Sequence, residues 1–202
     1  MFTRALMTSL FAGFLACGAA SAQGQAAPGA ATKPEGEKPS TVKPAQLDEL
    51  FARLAAAKDE TEANGVASLI ERRWARSGSD TADLLMSRAN EALKDKDAAL
   101  AIELLDRVIA LRPDWAEAWN RRATAFYVLE DTASSMADIR QVLAREPRHF
   151  GAWAGLGQIY VAGGDKRRGL EAFRKALAIH PYLSPLREAI ERMAPEVDGR
   201  DI

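Results

Sequence analysis

Cysteine occurs once, at Cys17, so neither a disulfide within one chain nor a Cys-based metal site can form. Histidine occurs twice. His149 and His180 stand 31 residues apart, outside any metal-ligand spacing. There is no G-x-S-x-G elbow and no phosphate-cradling glycine loop, so no catalytic, cofactor-binding or metal residue is predicted and the chain reads as non-enzymatic. Neither charge dominates: 27 Lys and Arg face 28 Asp and Glu, which argues against a broad basic footprint for nucleic acid. Alternation of strand period is missing too, which leaves an all-α chain. The longest apolar run, near the start, falls short of the roughly 20 residues that span a bilayer.

That run belongs to residues 1–22, which read as an export signal. Arg4 gives the positive start, residues 5–16 the apolar core, and Ala20-Ser21-Ala22 the small-x-small cleavage site before Gln23. A periplasmic or secreted location is expected. The rival is a lipid anchor at Cys17. Phe14-Leu15-Ala16-Cys17 departs from the lipoprotein box at the two positions farthest from the Cys, and the complete Ala-Ser-Ala site favours plain cleavage. Residues 23–45 carry Pro28, Pro34, Pro39 and Pro44 with few large apolar groups. Burial there would not offset the entropy of ordering, so they read as a flexible linker.

From there on the chain repeats. Trp153, Leu156, Gly157, Tyr160, Gly169, Phe173, Ala176 and Pro181 stand at the offsets W-x2-L-G-x2-Y…A-x3-F…P, with Pro147 and Pro113 stepping back from Pro181 by 34 residues each. The chain resembles the tetratricopeptide-repeat family, and more narrowly its small exported bacterial members. The resemblance implies an all-α, right-handed superhelical solenoid of helix–turn–helix units, closed by an extra C-terminal helix. Its three units are 82–115, 116–149 and 150–183, each with a helix A and a helix B.

Asp80 or Thr81 can cap the first helix A and Asp97 the first helix B, while Asp131 and Gly163-Gly164-Asp165 mark later turns. Ala89, Ala123 and Gly157 let the paired helices approach closely. Residues 46–81 fit the frame less well: Glu71 stands where a large apolar residue is expected and Trp74 where a small one is. They are expected to form a degenerate helical pair capping the array. Ser184-Pro185 opens a closing helix over 184–194, ended by Pro195, with 195–202 as a tail.

The resemblance also implies a function, the binding of a peptide or protein segment in the concave groove lined by the A helices. Carried onto this sequence, the groove positions include Asp83, Met86 and Asn90 in the first unit. The second supplies Glu117, Asn120, Arg121, Thr124 and Tyr127, and the third Gly151, Ala154, Gly155 and Gln158. A carboxylate clamp of the chaperone-binding kind is not expected. Met86, Gly151 and Gly155 stand where its cations would be, and without them the charge-assisted bonds are lost. Arg121 and Arg122 read as a solvated face paired to Glu117 or Glu91 rather than a basic patch. Any specificity is expected in Asn90, Glu117, Asn120, Arg121, Thr124, Tyr127 and Gln158, centred on Asn120, Arg121 and Tyr127. The other class of function is a structural, homo-oligomeric envelope protein, anchored through Cys17 if that residue is lipidated.

Overall fold

The computed structural model describes residues 44–199. Nine helices and no strand occur among the described residues: α1 (Pro44–Ala55), α2 (Glu60–Trp74), α3 (Asp80–Lys94), α4 (Ala98–Leu111), α5 (Ala116–Val128), α6 (Thr132–Arg145), α7 (Phe150–Ala162), α8 (Lys166–Ile179) and α9 (Ser184–Val197). The expected signal at 1–22 and most of the linker at 23–45 lie outside them. The linker's last two residues instead open α1. Pro44 is tolerated there because the N–H it lacks would have no intrahelical partner anyway.

Three antiparallel helix pairs, α3–α4, α5–α6 and α7–α8, follow the 34-residue frame. Each B helix is capped by an aspartate in register: Asp97, Asp131 and Asp165 accept the N–H of Leu100, Ser134 and Arg168, each at 3.0 Å. The residue before each cap turns the chain left-handed, with φ of 64° at Lys96, 63° at Glu130 and 84° at Gly164. Within the third pair the helices touch through glycine. A Cβ on Gly157 would lie 2.4 Å from the Phe173 ring, and one on Gly169 would lie 2.4 Å from Val161. The boundary prolines act through their carbonyls as well as their rings. Trp119 Nε1 donates to Pro113 O and Trp153 Nε1 to Pro147 O, both at 2.9 Å, and Arg187 Nη2 to Pro181 O at 2.6 Å.

Three expectations change in detail. The first A helix is capped by Ser79, whose side chain accepts from Ala82 N–H, not by Asp80 or Thr81. Gly78, at φ +73°, turns the chain one residue earlier than the frame suggests. The closing helix does not stop at 194; α9 runs through Pro195 to Val197. A proline in the last turn removes one ladder bond, and the end is held by Asp198, whose N–H bonds Ala194 O and whose carboxylate pairs with Arg174. Ser184 is the first helical residue, with Leu183 at the cap.

The largest difference concerns α1 and α2. They form a helical pair, as expected, but not one stacked on the first unit. Their cluster of Phe51, Leu54, Val66 and Ile70 is completed by Phe150, Ile179, Tyr182 and Leu183. The first unit shares its core with Trp115, Ala118 and Ala125 of the second. The α1–α2 pair thus folds back over the later units.

Candidate protein-binding groove

Glu117 stands in the first turn of α5 and is 7% exposed. Its Oε1 accepts from Arg121 Nε at 2.7 Å, and its Oε2 from Asn120 Nδ2 at 3.1 Å and His149 Nε2 at 3.3 Å. His149 Nδ1 accepts the Ala152 N–H at 3.0 Å, so the ring hydrogen sits on Nε2 and points at the carboxylate. Burial would push the Glu117 carboxyl up. The Arg121 charge and the bonds from His149 and Asn120 outweigh it and hold it at about 2. On its other side lies Glu71 of α2. Burial first, and then the neighbouring Glu117, push Glu71 up to about 7, against the pull of Arg121 and Arg72.

The structure therefore joins Glu117, Asn120 and Arg121 into one network. It adds His149 and Glu71, which sequence reasoning did not place there. Thr124 is turned back into its helix, with Oγ1 donating to Asn120 O at 3.0 Å. Tyr127 is half-buried against the core shared by the second and third units. Asn90, half-buried on α3, and Gln158, buried on α7, form no hydrogen bond with the network. Asp83 of the first unit accepts the Ser77 N–H at 3.0 Å from the loop that follows α2. Arg122 pairs with neither Glu117 nor Glu91. Asp138 takes its Nε and Nη2 at 2.7 and 2.8 Å, and Asp106 its Nη1 at 2.6 Å.

A second row runs along the A-helix starts. The N-caps of α5, α7 and α9 are Trp115, His149 and Leu183, 34 residues apart. Trp115 and Leu183 make no capping bond, forgoing roughly 1 kcal/mol each relative to Ser, Thr, Asp or Asn. All three meet the α1–α2 pair instead. Trp115 Nε1 donates to Trp74 O at 2.6 Å. The His149 ring stacks on Trp74 with centroids 4.3 Å apart and planes within 8°. Leu183 lies in the cluster with Phe51 and Ile70. Arg148 pairs with Asp48 at 2.7 Å and lies over Phe51, while Tyr182 OH donates to Ala57 O at 3.1 Å. A crevice of about 400 Å³ remains between Leu47, Arg73 and Trp74 on one side and Trp115, Glu117 and Arg148 on the other.

A sequence profile of the family described as Tetratricopeptide repeat matches residues 86–138 and 122–184. A TPR repeat-containing protein of Rhizobium etli is 40% identical over 154 residues, 76% of each chain. The Small glutamine-rich tetratricopeptide repeat-containing protein 2 of Mycosarcoma maydis is 27% identical over 54% of this chain and 31% of its own length. Among solved structures, that of MamA superposes with a TM-score of 0.56 at 20% identity, over 60% of this chain and 71% of that one. The first TPR of Spaghetti (RPAP3), bound to an HSP90 peptide, gives the same score at 16% identity over 60% and 96%.

Proposed function

Since the chain belongs to the tetratricopeptide-repeat family, we propose that it is a non-enzymatic interaction module that binds a protein or peptide segment on the face lined by its A helices. The observation that carries this reading is the buried Glu117–Asn120–Arg121–His149 network. An ionised carboxylate, an amide, a guanidinium and an oriented imidazole converge beside an apolar row of Trp115, Phe150 and Leu183. Such a mix of fixed polar groups and apolar anchors suits a segment that brings both. The solved TPR with a bound HSP90 peptide supports peptide binding as a use of this fold. The reading includes export by the signal at 1–22, so that the module works in the periplasm or outside the cell.

Crosslinking in cells, from a photoreactive group at Thr124, tests the binding role. A protein adduct is expected, and it is lost when Asn120, Arg121 and Tyr127 are changed together to Ala with helicity retained. An unchanged adduct in that variant would sink the choice of residues. The mass of the mature N-terminus tests export. A start at Gln23 supports it, an acylated Cys17 would make the protein a lipoprotein, and an intact Met1 would rule out cleavage.

One observation favours the second class of function. With α1–α2 seated elsewhere, the first unit exposes Leu84, Leu100 and Leu111 at 55, 44 and 50%, which suits packing of one copy on another. A dimer in light scattering that persists on dilution would support it.

A further inference from the structure

We propose that the α1–α2 hairpin is a resident occupant of the binding face, seated on the row of A-helix N-caps, and that an external helical segment reaches that face by displacing it. This rests on the binding role proposed above and names the kind of partner.

The first argument is positional. At the three B-helix starts the caps are aspartates that bond their own helices. At three A-helix starts in the same register, the caps are Trp115, His149 and Leu183, which face the hairpin. The row is thus specialised for a contact outside the array. The hairpin and the loop after it also meet the groove row itself, with Glu71 beside Glu117 and Ser77 on Asp83.

The second argument is that the docked hairpin carries unrelieved costs, all in or beside this contact. Trp74 Nε1 and His180 Nδ1 are buried without a partner, a state that water on an open face would end. Glu71 is half-buried next to an ionised carboxylate. Gly65 sits inside α2 with open space around it, where it weakens the helix and fills nothing. Such a contact holds by proximity along the chain, because the 75–79 connection keeps the hairpin at high effective concentration. A free segment with better contacts can then replace it, with its apparent affinity lowered by the fraction of closed molecules.

The occupant specifies the chemistry of its replacement. Ala63, Val66, Ala67 and Ile70 form an i, i+3, i+4, i+7 row on α2, and Trp74 follows one turn later. The partner is therefore an amphipathic helix with small or branched apolar residues and an aromatic ring near its C-terminal end, one that brings no acid against Glu117.

The test uses the whole mature protein and a fluorescent synthetic peptide of residues 46–76. In anisotropy titrations, the peptide is expected to bind a Trp74→Ala protein at least about tenfold more tightly than the unaltered one. A peptide that itself carries Trp74→Ala should bind neither. Equal binding to both proteins, or no binding to a folded Trp74→Ala protein, overturns the proposal. Should that variant not fold, hydrogen exchange on the unaltered protein decides. Faster exchange of α1–α2 than of α5–α8 by about tenfold or more supports an undocking hairpin, and equal protection overturns it. If the peptide fails while the Thr124 crosslink is still formed, the hairpin is a fixed cover and the binding role survives without it.

Discussion

Glu71 faces Glu117 and Arg121 from α5, with Arg72 beside it on its own helix, and this arrangement gives the fold a pH dependence. Its folded value of about 7 lies above the ordinary 4.5. The contribution of Glu71 is therefore fully present below about 4.5 and is lost as pH rises through 7. His180 has the opposite sign. Burial lowers it to about 4 from 6.5, so its contribution is present above 6.5 and is lost as pH falls toward 4. Glu71→Gln separates the two. It should raise Tm by about 2–4 °C at pH 8 and leave it unchanged at pH 4, as followed by circular dichroism. An equal shift at both values would assign the effect to packing. A second change at this scale concerns Lys96, held at φ 64° where the third unit has glycine. Lys96→Gly should stabilise by about 0.5–1 kcal/mol, seen as a higher urea midpoint at unchanged m. The sequence did mark Glu71 and Trp74 as misfits of the repeat frame. Their partners stayed hidden, because Glu117 and His149 come close only through the way the hairpin folds back.

Between elements, the strongest polar tie is Arg122, which joins α5 to Asp138 on α6 and to Asp106 on α4. Asp138 is 4% exposed, and the Trp119 ring lies 4.9 Å below the guanidinium. Arg122→Ala leaves that carboxylate buried without its cation and should cost about 3–5 kcal/mol in a urea titration. Changing Arg122 and Asp138 together to Leu should cost much less, since the pair's attraction is largely offset by its desolvation. A double variant as unstable as the single one would contradict this account. Helix order and the unit boundaries were legible because the 34-residue frame is written in Trp, Gly and Pro at fixed offsets. The pairing of Arg121 with Glu117 was legible too, being a one-turn contact along a helix. Arg122 was not, because its partners lie 16 residues away on either side. The cap row was open to a closer reading: Trp115, His149 and Leu183 stand where Ser, Thr or Asp would serve a helix better.

At the scale of the molecule, a plain repeat array couples each unit to its neighbours alone. Here Tyr182 bonds Ala57 across 125 residues and Arg148 bonds Asp48 across 100. The hairpin adjoins the first unit in sequence, yet its apolar contacts are with Phe150, Ile179 and Leu183 near the other end. No local pattern encodes this, because the frame specifies which residues face a neighbour and not where an irregular pair will settle. The coupling has a measurable consequence. Leu186, fully buried in α9, anchors the helix whose start carries Tyr182 and Leu183. Leu186→Ala should cost about 2–5 kcal/mol locally. If the hairpin rests on that start, its amides should then exchange faster by about tenfold, while those of α3–α4, far nearer to it in sequence, change little. Propagation by neighbour contact alone gives the reverse order, with α7–α8 affected first, then α5–α6 and α3–α4, and α1–α2 no more than α3–α4. Exchange measured by mass spectrometry on the two proteins distinguishes these orders, because α1–α2 and α3–α4 yield separate peptides.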